Sequence, residues 1–526
     1  MLLSAFLIPL KTILTLAQFR AGAWGIDGGY YLDIAQNVRD GLGFATDVSP
    51  FNQGLPYFPH PSPVYPLWPL LLGYLARVFP LEILASWLGF FLYFAAVALA
   101  WSYGKQLFPR ARAVGWGFEV NAGIVLAAML AFHRFFFEVT GKPYTEGLTY
   151  VLLMVALIRS LSALRSVTLR AGLELGLWSG ALFLCRSQLV VFLLGAAATL
   201  LVFAASGEPR RALRALLGLI LAFSAVILPE MLFIRGFTDA NPLWVFFRFD
   251  QFQATALLPP FRPLVLSGGP LGTILDRLRG VFFAFSPSLT GFTYYRAYGL
   301  FAVALPLALP GLFRSLLRGR HELSREWVRC RLPEIFFVVF ALIAMLSVHA
   351  VHMKSGRVWL FGARQGLASC FALFLGFVLL LSRPGMQRKL AVTLFVCSSI
   401  FGVSSLTRQT FVAAQSDAHQ GEGLKALIEW VNRVATPGAE RQIFAVPFDL
   451  GKTIAPYTPG AAYQEFSPNE WFSLAPAFAD GLGVRFWVLA TGSLDGAPPA
   501  DRAWFELHFE KLNNDLSGYE TWRRRS

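Results

Sequence analysis

Residues 24–32 read WGIDGGYYL and lie shortly after a hydrophobic segment at residues 1–19. Apolar runs of this kind recur along the 526-residue chain, and aromatic, glycine-rich stretches with isolated carboxylates fall between them. Aromatic residues beside an apolar run are typical of a membrane interface. Asp27 is therefore expected where a membrane-spanning segment meets water.

The composition indicates a membrane protein. Hydrophobic residues make up 56% of the chain and charged residues only 14%. Because a soluble globular protein with this composition would lack the polar surface to cover its core, we predict an α-helical polytopic membrane protein. The net charge of +14 does not indicate nucleic acid as a partner, because the basic residues form short clusters between apolar segments. The four cysteines lack metal-type spacing.

The apolar runs also predict a topology. A helix needs roughly 17–25 residues to cross the hydrocarbon core. Eleven spans are predicted, of which the fifth is short, at residues 1–19, 82–103, 114–132, 143–158, 172–185, 188–205, 216–234, 299–317, 333–351, 365–381 and 390–406. With strict alternation, five clusters of Lys and Arg fall on one side, which the positive-inside rule makes cytoplasmic. We therefore predict a multi-pass protein of the plasma (inner) membrane with a cytoplasmic N-terminus and an extracytoplasmic C-terminal domain.

The chain changes character near residue 409, where charged residues and turn residues become frequent. In this tail the spacing of apolar residues predicts a helix at Glu422–Val434 and buried strands at Gln442–Val446 and Val484–Ala490. The tail is thus predicted to be a small outer α/β domain. The predicted domains are residues 1–408, in the membrane with outer loops at 25–80 and 237–298, and residues 409–526, outside it.

A series of motifs carries a resemblance to a known family. The motifs are the run Asp27–Gly43, Pro63-Val64-Tyr65-Pro66, Thr145-Glu146-Gly147-Leu148 opening a span, Cys185-Arg186-Ser187 between two spans, and Arg364 opening a late span. In their order and topology they resemble the GT-C glycosyltransferases, and within that class the protein O-mannosyltransferase and lipid A aminoarabinose transferase group. The resemblance implies a membrane enzyme that transfers a sugar from a polyprenyl-phosphate donor to a glycan, lipid or protein acceptor at the outer face. Membrane lipids are further expected partners.

The chemistry of such a transfer needs one general base, because the phosphate leaves as an anion without being protonated. Asp27 fits this role in an inverting transfer, and the resemblance implies the same residue. It also implies an assisting carboxylate, Glu146 or Glu138. Gly28 and Gly29 would allow close approach by a substrate. The alternative is that Asp27 only caps a helix that begins near Gly29.

Arginine is expected at the donor phosphate, because its planar fork matches two phosphate oxygens. Arg364 is the preferred candidate, and the alternative is that it snorkels to lipid headgroups. Further candidates for the phosphate are Arg357, Lys354, Arg262, His60 and Tyr65. Candidates for contact with the sugar or acceptor are Tyr30, Tyr31 and Trp24. Asp33 and Asp40 are interpreted as solvated surface charges.

No cofactor is firmly predicted and no metal ligand is assigned. A requirement for a divalent cation is left open. Many relatives have a second acidic residue where this chain has Gly28, which argues against a metal site at this pair of residues. Three other readings compete with a transferase: a transporter or flippase of lipid-linked sugars, an O-antigen polymerase or ligase, and a structural scaffold. Transporters concentrate ionisable residues near the membrane midplane, whereas the carboxylates here cluster in predicted outer loops.

Overall fold

The computed structural model describes residues 2–21, 26–49, 59–62, 64–115, 118–237, 325–355, 371, 373–382, 385–435, 441–447, 450–466, 483–497, 499–512, 516 and 518–525. The chain divides into two compact units. The first unit contains Met1–Leu10, Phe90–Thr140 and Thr145–Gln409. The second unit contains Lys11–Gly89, Gly141–Tyr144 and Thr410–Ser526.

Helices dominate the described residues. Their bounds are Leu2–Ala21, Ile26–Arg39, Leu67–Leu75, Leu81–Leu107, Ala122–Ala131, Arg134–Val139, Glu146–Ser166, Leu169–Cys185, Val190–Ala205, Pro209–Phe237, Arg325–Cys330, Leu332–Ser355, Met386–Val434, Leu450–Ile454 and Pro499–His508. In the part of the chain that the structure describes, five segments are long and apolar enough to cross a membrane, namely Leu81–Leu107, Glu146–Ser166, Ser187–Ala205, Pro209–Gly236 and Met386–Val412. The chain is therefore a multi-pass membrane protein.

The span predicted at residues 114–132 begins too early. Strands β4 (Arg112–Gly115) and β5 (Phe118–Asn121) form an antiparallel hairpin there. The helix that follows covers only Ala122–Ala131, because the Asn121 side chain accepts a hydrogen bond from the Ile124 amide at 3.0 Å and caps its start. The predicted span at 299–317, residues 365–370 of the predicted span at 365–381, and the predicted outer loop beyond residue 237 lie outside the described residues.

Glycines allow two helices of the first unit to pack closely. Gly172, Gly176 and Gly180 recur every fourth residue on the Leu169–Cys185 helix and face the Pro209–Phe237 helix. A Cβ atom at Gly172 would lie 1.9 Å from a carbonyl oxygen of that partner, and one at Gly176 would lie 2.4 Å from another. Small residues at this spacing let membrane helices approach backbone to backbone.

Besides a short ladder of β1 (Ala45–Thr46) and β3 (His60–Pro61), the second unit contains a six-stranded mixed sheet. In their order across this sheet, the strands are β2 (Val48–Ser49), β7 (Ala461–Phe466), β6 (Gln442–Pro447), β8 (Phe486–Ala490), β10 (Tyr519–Arg524) and β9 (Phe509–Leu512). Pairing is parallel from β2 to β8 and antiparallel from β8 to β9. Trp487, Phe505, Phe509 and Trp522 form part of its core.

The structure confirms the two strands predicted after residue 409 but not the bounds of the predicted helix. The strands predicted at Gln442–Val446 and Val484–Ala490 are observed as β6 and β8. The helix expected at Glu422–Val434 is the last part of a continuous Met386–Val434 helix, so the backbone does not break at residue 409. A separate outer domain at residues 409–526 stays a prediction.

Candidate active site

Asp27 lies in the first turn of the Ile26–Arg39 helix and is partly exposed. These bounds do not fit the alternative in which Asp27 caps a helix that begins two residues later. A Cβ atom on the neighbouring Gly28 would lie 3.0 Å from the ring of Pro143. The carbonyl oxygen of Pro143 in turn accepts a hydrogen bond from Trp68 Nε1 at 2.9 Å. The backbone beside the carboxylate is thus held against a fixed neighbour.

Gly29 packs against the Leu450–Ile454 helix even more closely than Gly28 packs against Pro143. A Cβ atom there would lie 2.0 Å from the carbonyl oxygen of Lys452, in the short Leu450–Ile454 helix. Glu465 on β7 holds this helix in place, because it accepts a hydrogen bond from the Lys452 amide at 3.1 Å and pairs with Lys452 Nζ at 3.3 Å. The expectation that the two glycines make room for a substrate is therefore wrong in this conformation. They make room for the protein itself.

The aromatic residues after the glycines are packed inside the unit. Tyr30 and Tyr31 are each 7% exposed, and the Tyr30 hydroxyl lies 3.3 Å from Ser62 Oγ. Their burial favours a packing role. Contact of these rings with a sugar stays a prediction and requires the rings to become accessible. Trp24 lies outside the described residues.

The Ile26–Arg39 helix also carries Asp33, a buried carboxyl whose burial the sequence did not reveal. Asp33 Oδ2 accepts hydrogen bonds from Thr46 Oγ1 at 2.6 Å and from the Asp47 amide at 3.0 Å. Asp47 pairs with Arg441 Nε at 2.7 Å and accepts a hydrogen bond from Asn37 at 3.4 Å. This buried cluster joins the helix, the following loop and the start of β6 within one unit.

The surroundings of Asp33 in the buried cluster favour its protonated, uncharged form at neutral pH. Burial, followed by repulsion from the Asp47 carboxylate, raises the pKa of Asp33 to about 8, against the opposing effects of its two hydrogen bonds and of Arg441. Burial also raises the pKa of Asp47, although Arg441 acts in the other direction. Asp33 is 3% exposed, so its interpretation as a solvated surface charge is wrong. Asp40 is exposed and pairs with Arg39 at 2.7 Å, as a surface charge does.

The two carboxylates implied as assistants belong to the first unit. Glu146, 2% exposed, opens the Glu146–Ser166 helix and lies 2.7 Å from Arg186 Nη1. Arg186 stands at the break after the Leu169–Cys185 helix, so the ion pair braces the ends of two helices. Glu138 accepts a hydrogen bond from Gln409 Nε2 at 2.7 Å. An assisting role for either residue stays a prediction.

The described residues include few of the candidates for the donor phosphate. Tyr65 is partly buried, and His60 lies in the two-residue strand His60–Pro61, where its backbone pairs with Thr46. Lys354 lies at the end of the Leu332–Ser355 helix. Arg364, Arg357 and Arg262 lie outside the described residues. Within the residues that the structure covers, no three His, Cys, Asp or Glu side chains gather to hold a metal ion.

Known structures resemble this fold. An oligosaccharyltransferase from Archaeoglobus fulgidus, tethered through a disulfide bond to an acceptor peptide with an NVT sequon, aligns with a TM-score of 0.53 at 12% identity, over 99% of this chain and 74% of that chain. AglB from the same organism, with an inhibitory peptide and a dolichol-phosphate, gives 0.48 at 12% identity over 99% and 74%. ArnT from Cupriavidus metallidurans, bound to undecaprenyl phosphate, gives 0.35 at 11% identity over 99% and 98%. No protein-family model and no curated protein sequence matches the chain.

The likeness to the first of these structures shows the class of fold. The chain has the GT-C fold of membrane glycosyltransferases, which confirms the resemblance drawn from the order of its motifs. At 12% identity the likeness extends to the fold alone. The role of each residue therefore has to be argued from the geometry of this chain.

Proposed function

We propose that this chain is an integral-membrane glycosyltransferase that moves a sugar from a polyprenyl-phosphate donor to an acceptor hydroxyl with inversion. In the reaction the acceptor oxygen forms a bond to the anomeric carbon while the bond from that carbon to the phosphate oxygen breaks. The electron pair leaves with the phosphate, and Asp27 takes the acceptor's proton. The acceptor is a glycan, a lipid or a protein.

One observation carries the choice of Asp27 as the base. Of the four aspartates at residues 27–47, Asp33 and Asp47 are buried in a hydrogen-bonded cluster, and Asp40 is exposed beside a basic residue. Asp27 alone among these four is partly exposed at the start of a helix whose backbone is fixed by close glycine contacts. A general base needs both access to substrate and a fixed position, and this residue combines them.

The donor phosphate is proposed to bind Arg364, with Arg357, Lys354, Arg262, His60 and Tyr65 as further contacts. An arginine supplies two parallel N–H donors to a phosphate, which a lysine does not. The reaction proposed here needs no metal ion for departure of the phosphate. A divalent cation could in addition neutralise the negative charge of the departing phosphate.

The proposed location is the plasma (inner) membrane, with the Asp27 helix and the C-terminal sheet on the extracytoplasmic side. The support is the alternation of basic clusters along the sequence. A cysteine introduced at Ser493, in a background without the native cysteines, should react with a membrane-impermeant reagent in intact cells. Labelling only after the cells are opened would reverse the orientation.

The experiment that tests the proposed function compares cell-envelope glycans and lipids by mass spectrometry, with and without the protein. We expect one sugar modification to be present only with the active protein. It should be lost with Asp27→Asn and retained with the matched control Asp40→Asn, because Asp40 is an exposed charge already paired at the surface. A modification that persists with Asp27→Asn would rule out Asp27 as the base.

Transport of a lipid-linked sugar is a second candidate, which one observation favours. Glu230 is buried inside the Pro209–Phe237 helix, directly after Pro229, and its Oε1 makes no hydrogen bond to the part of the chain that the structure covers. Ionisable residues inside membrane spans often mark transport pathways. A transporter would lose activity with Glu230→Gln and keep it with Asp27→Asn, whereas a transferase would show the reverse.

A further inference from the structure

A groove opens between two helices of the first unit, and none of its lining residues is assigned above to sugar transfer. It has a volume of about 580 Å³ and lies between the Glu146–Ser166 and Leu169–Cys185 helices. Its lining combines the charged residues Arg159, Arg170 and Glu174 with Trp178 and two leucines. The groove therefore has a cationic part and an apolar part.

The packing of the Leu169–Cys185 helix explains why this side stays open. Its glycine face is occupied by the Pro209–Phe237 helix at backbone distance. A different face carries Leu169, Leu173 and Leu177, spaced four residues apart and 45%, 37% and 52% exposed. Residues at this spacing lie above one another on a helix and form a continuous apolar strip.

The cationic part lies where the two helices meet at their turn. Arg159 pairs with Glu174 across the groove, which neutralises one of the two arginines that line it. Arg170 is exposed at the first turn of its helix, and Arg165 is exposed just before the turn. The groove thus keeps a net positive charge toward the C-terminal end of the Glu146–Ser166 helix, which is long and apolar enough to cross a membrane.

The arrangement matches a lipid rather than a soluble anion. An indole ring such as that of Trp178 favours the boundary between headgroups and hydrocarbon. Basic pockets between membrane helices attract anionic headgroups, with about 1 kcal/mol for each nearby Lys or Arg. We propose that this groove binds one two-chain anionic phospholipid, with its phosphate at Arg170 and an acyl chain along Leu173 and Leu177.

The test measures lipid retention and is independent of any sugar transfer. Purified protein is equilibrated with mixed micelles that contain equal amounts of phosphatidylglycerol and phosphatidylcholine, and bound lipid is counted by native mass spectrometry. We expect one retained phosphatidylglycerol per chain. Arg170→Gln should weaken its binding about fivefold, the ratio that corresponds to about 1 kcal/mol. Arg110→Gln, which removes an exposed arginine from another basic cluster, should leave it unchanged.

A second pair of variants tests the apolar part. Leu177→Ser should reduce retention of phosphatidylglycerol, whereas Leu201→Ser, at a residue 58% exposed on another membrane helix, should not. Equal retention of the two lipids, or equal losses in the groove variants and their controls, would overturn the proposal. Thermal unfolding of each variant shows whether a loss reflects the groove or the fold.

Discussion

The buried Asp33 carboxyl predicts a specific dependence of stability on pH. In the folded protein its pKa is about 8, whereas an aspartate in an unfolded chain has a pKa of about 3.9. Between these values the folded chain holds a proton that the unfolded chain has lost. The contribution of this raised pKa to the free energy of unfolding is therefore fully present below pH 4 and is lost as the pH rises through 8.

The magnitude follows from one proton. The free energy of unfolding should fall by about 1.4 kcal/mol for each pH unit in this range, or about 4 kcal/mol from pH 5 to pH 8. Asparagine at this position is neutral at every pH, and its side-chain oxygen can accept the same two hydrogen bonds from Thr46 and the Asp47 amide. Asp33→Asn should therefore fold and should lack this part of the pH dependence.

The assay is thermal unfolding in detergent between pH 5 and pH 9, followed by tryptophan fluorescence. The wild-type melting temperature should fall with rising pH by roughly 4 °C, at about 1 °C per kcal/mol for a chain of 526 residues, and that of Asp33→Asn should fall clearly less. Asp40→Asn serves as the matched control, because Asp40 is exposed, and it should follow the wild-type curve. Parallel curves for the wild type and Asp33→Asn would refute the assignment of a protonated Asp33.

Three further predictions concern packing, the brace in the first unit and the donor. Gly29→Ala should lower the melting temperature, since its methyl group would meet a carbonyl oxygen at 2.0 Å, whereas Gly236→Ala should not, since a methyl group there meets no described residue outside its own helix within 4 Å; equal effects would contradict the contact. Glu146→Gln and Arg186→Met should each destabilise by about 3–5 kcal/mol, and the double variant by much less than their sum, as a double-mutant cycle would measure. Arg364→Ala should weaken donor binding in a lipid titration, and Arg364→Lys should restore it only partly; full restoration by lysine would indicate a residue that only reaches headgroups.

Much of the membrane architecture can be predicted from the sequence, because a helix that crosses a bilayer leaves its signature in one continuous apolar run. The predicted spans at 82–103 and 188–205 correspond to the helical segments Leu81–Leu107 and Ser187–Ala205. The hairpin before Ala122 was missed, because its strands contain apolar residues that also extend a hydrophobic window. The capping residue Asn121 was the local signal for the true start of the helix.

The candidate site was less accessible to sequence reasoning. The sequence favours a surface position for Asp33, because its own helix carries only a weak signal of what the side chain faces. Asp47, beside it in the buried cluster, pairs with Arg441, which is 394 residues further along the chain, and no local pattern connects them. A weak signal existed in the helical spacing, since Asp33 lies three residues after the buried Tyr30 and four before the buried Asn37. The glycines at 28 and 29 stand out in the sequence, but the atoms that they contact belong to segments distant along the chain.

The role of Asp27 is tested most directly by the turnover of purified protein with a polyprenyl-phosphate sugar and the acceptor identified from the envelope analysis. Asp27→Asn should lower turnover by about two to four orders of magnitude, the usual worth of a positioned general base. Its donor affinity and melting temperature should match the wild type, and Asp40→Asn should keep normal turnover. Near-normal turnover of a folded Asp27→Asn protein would contradict the assignment of Asp27 as the base.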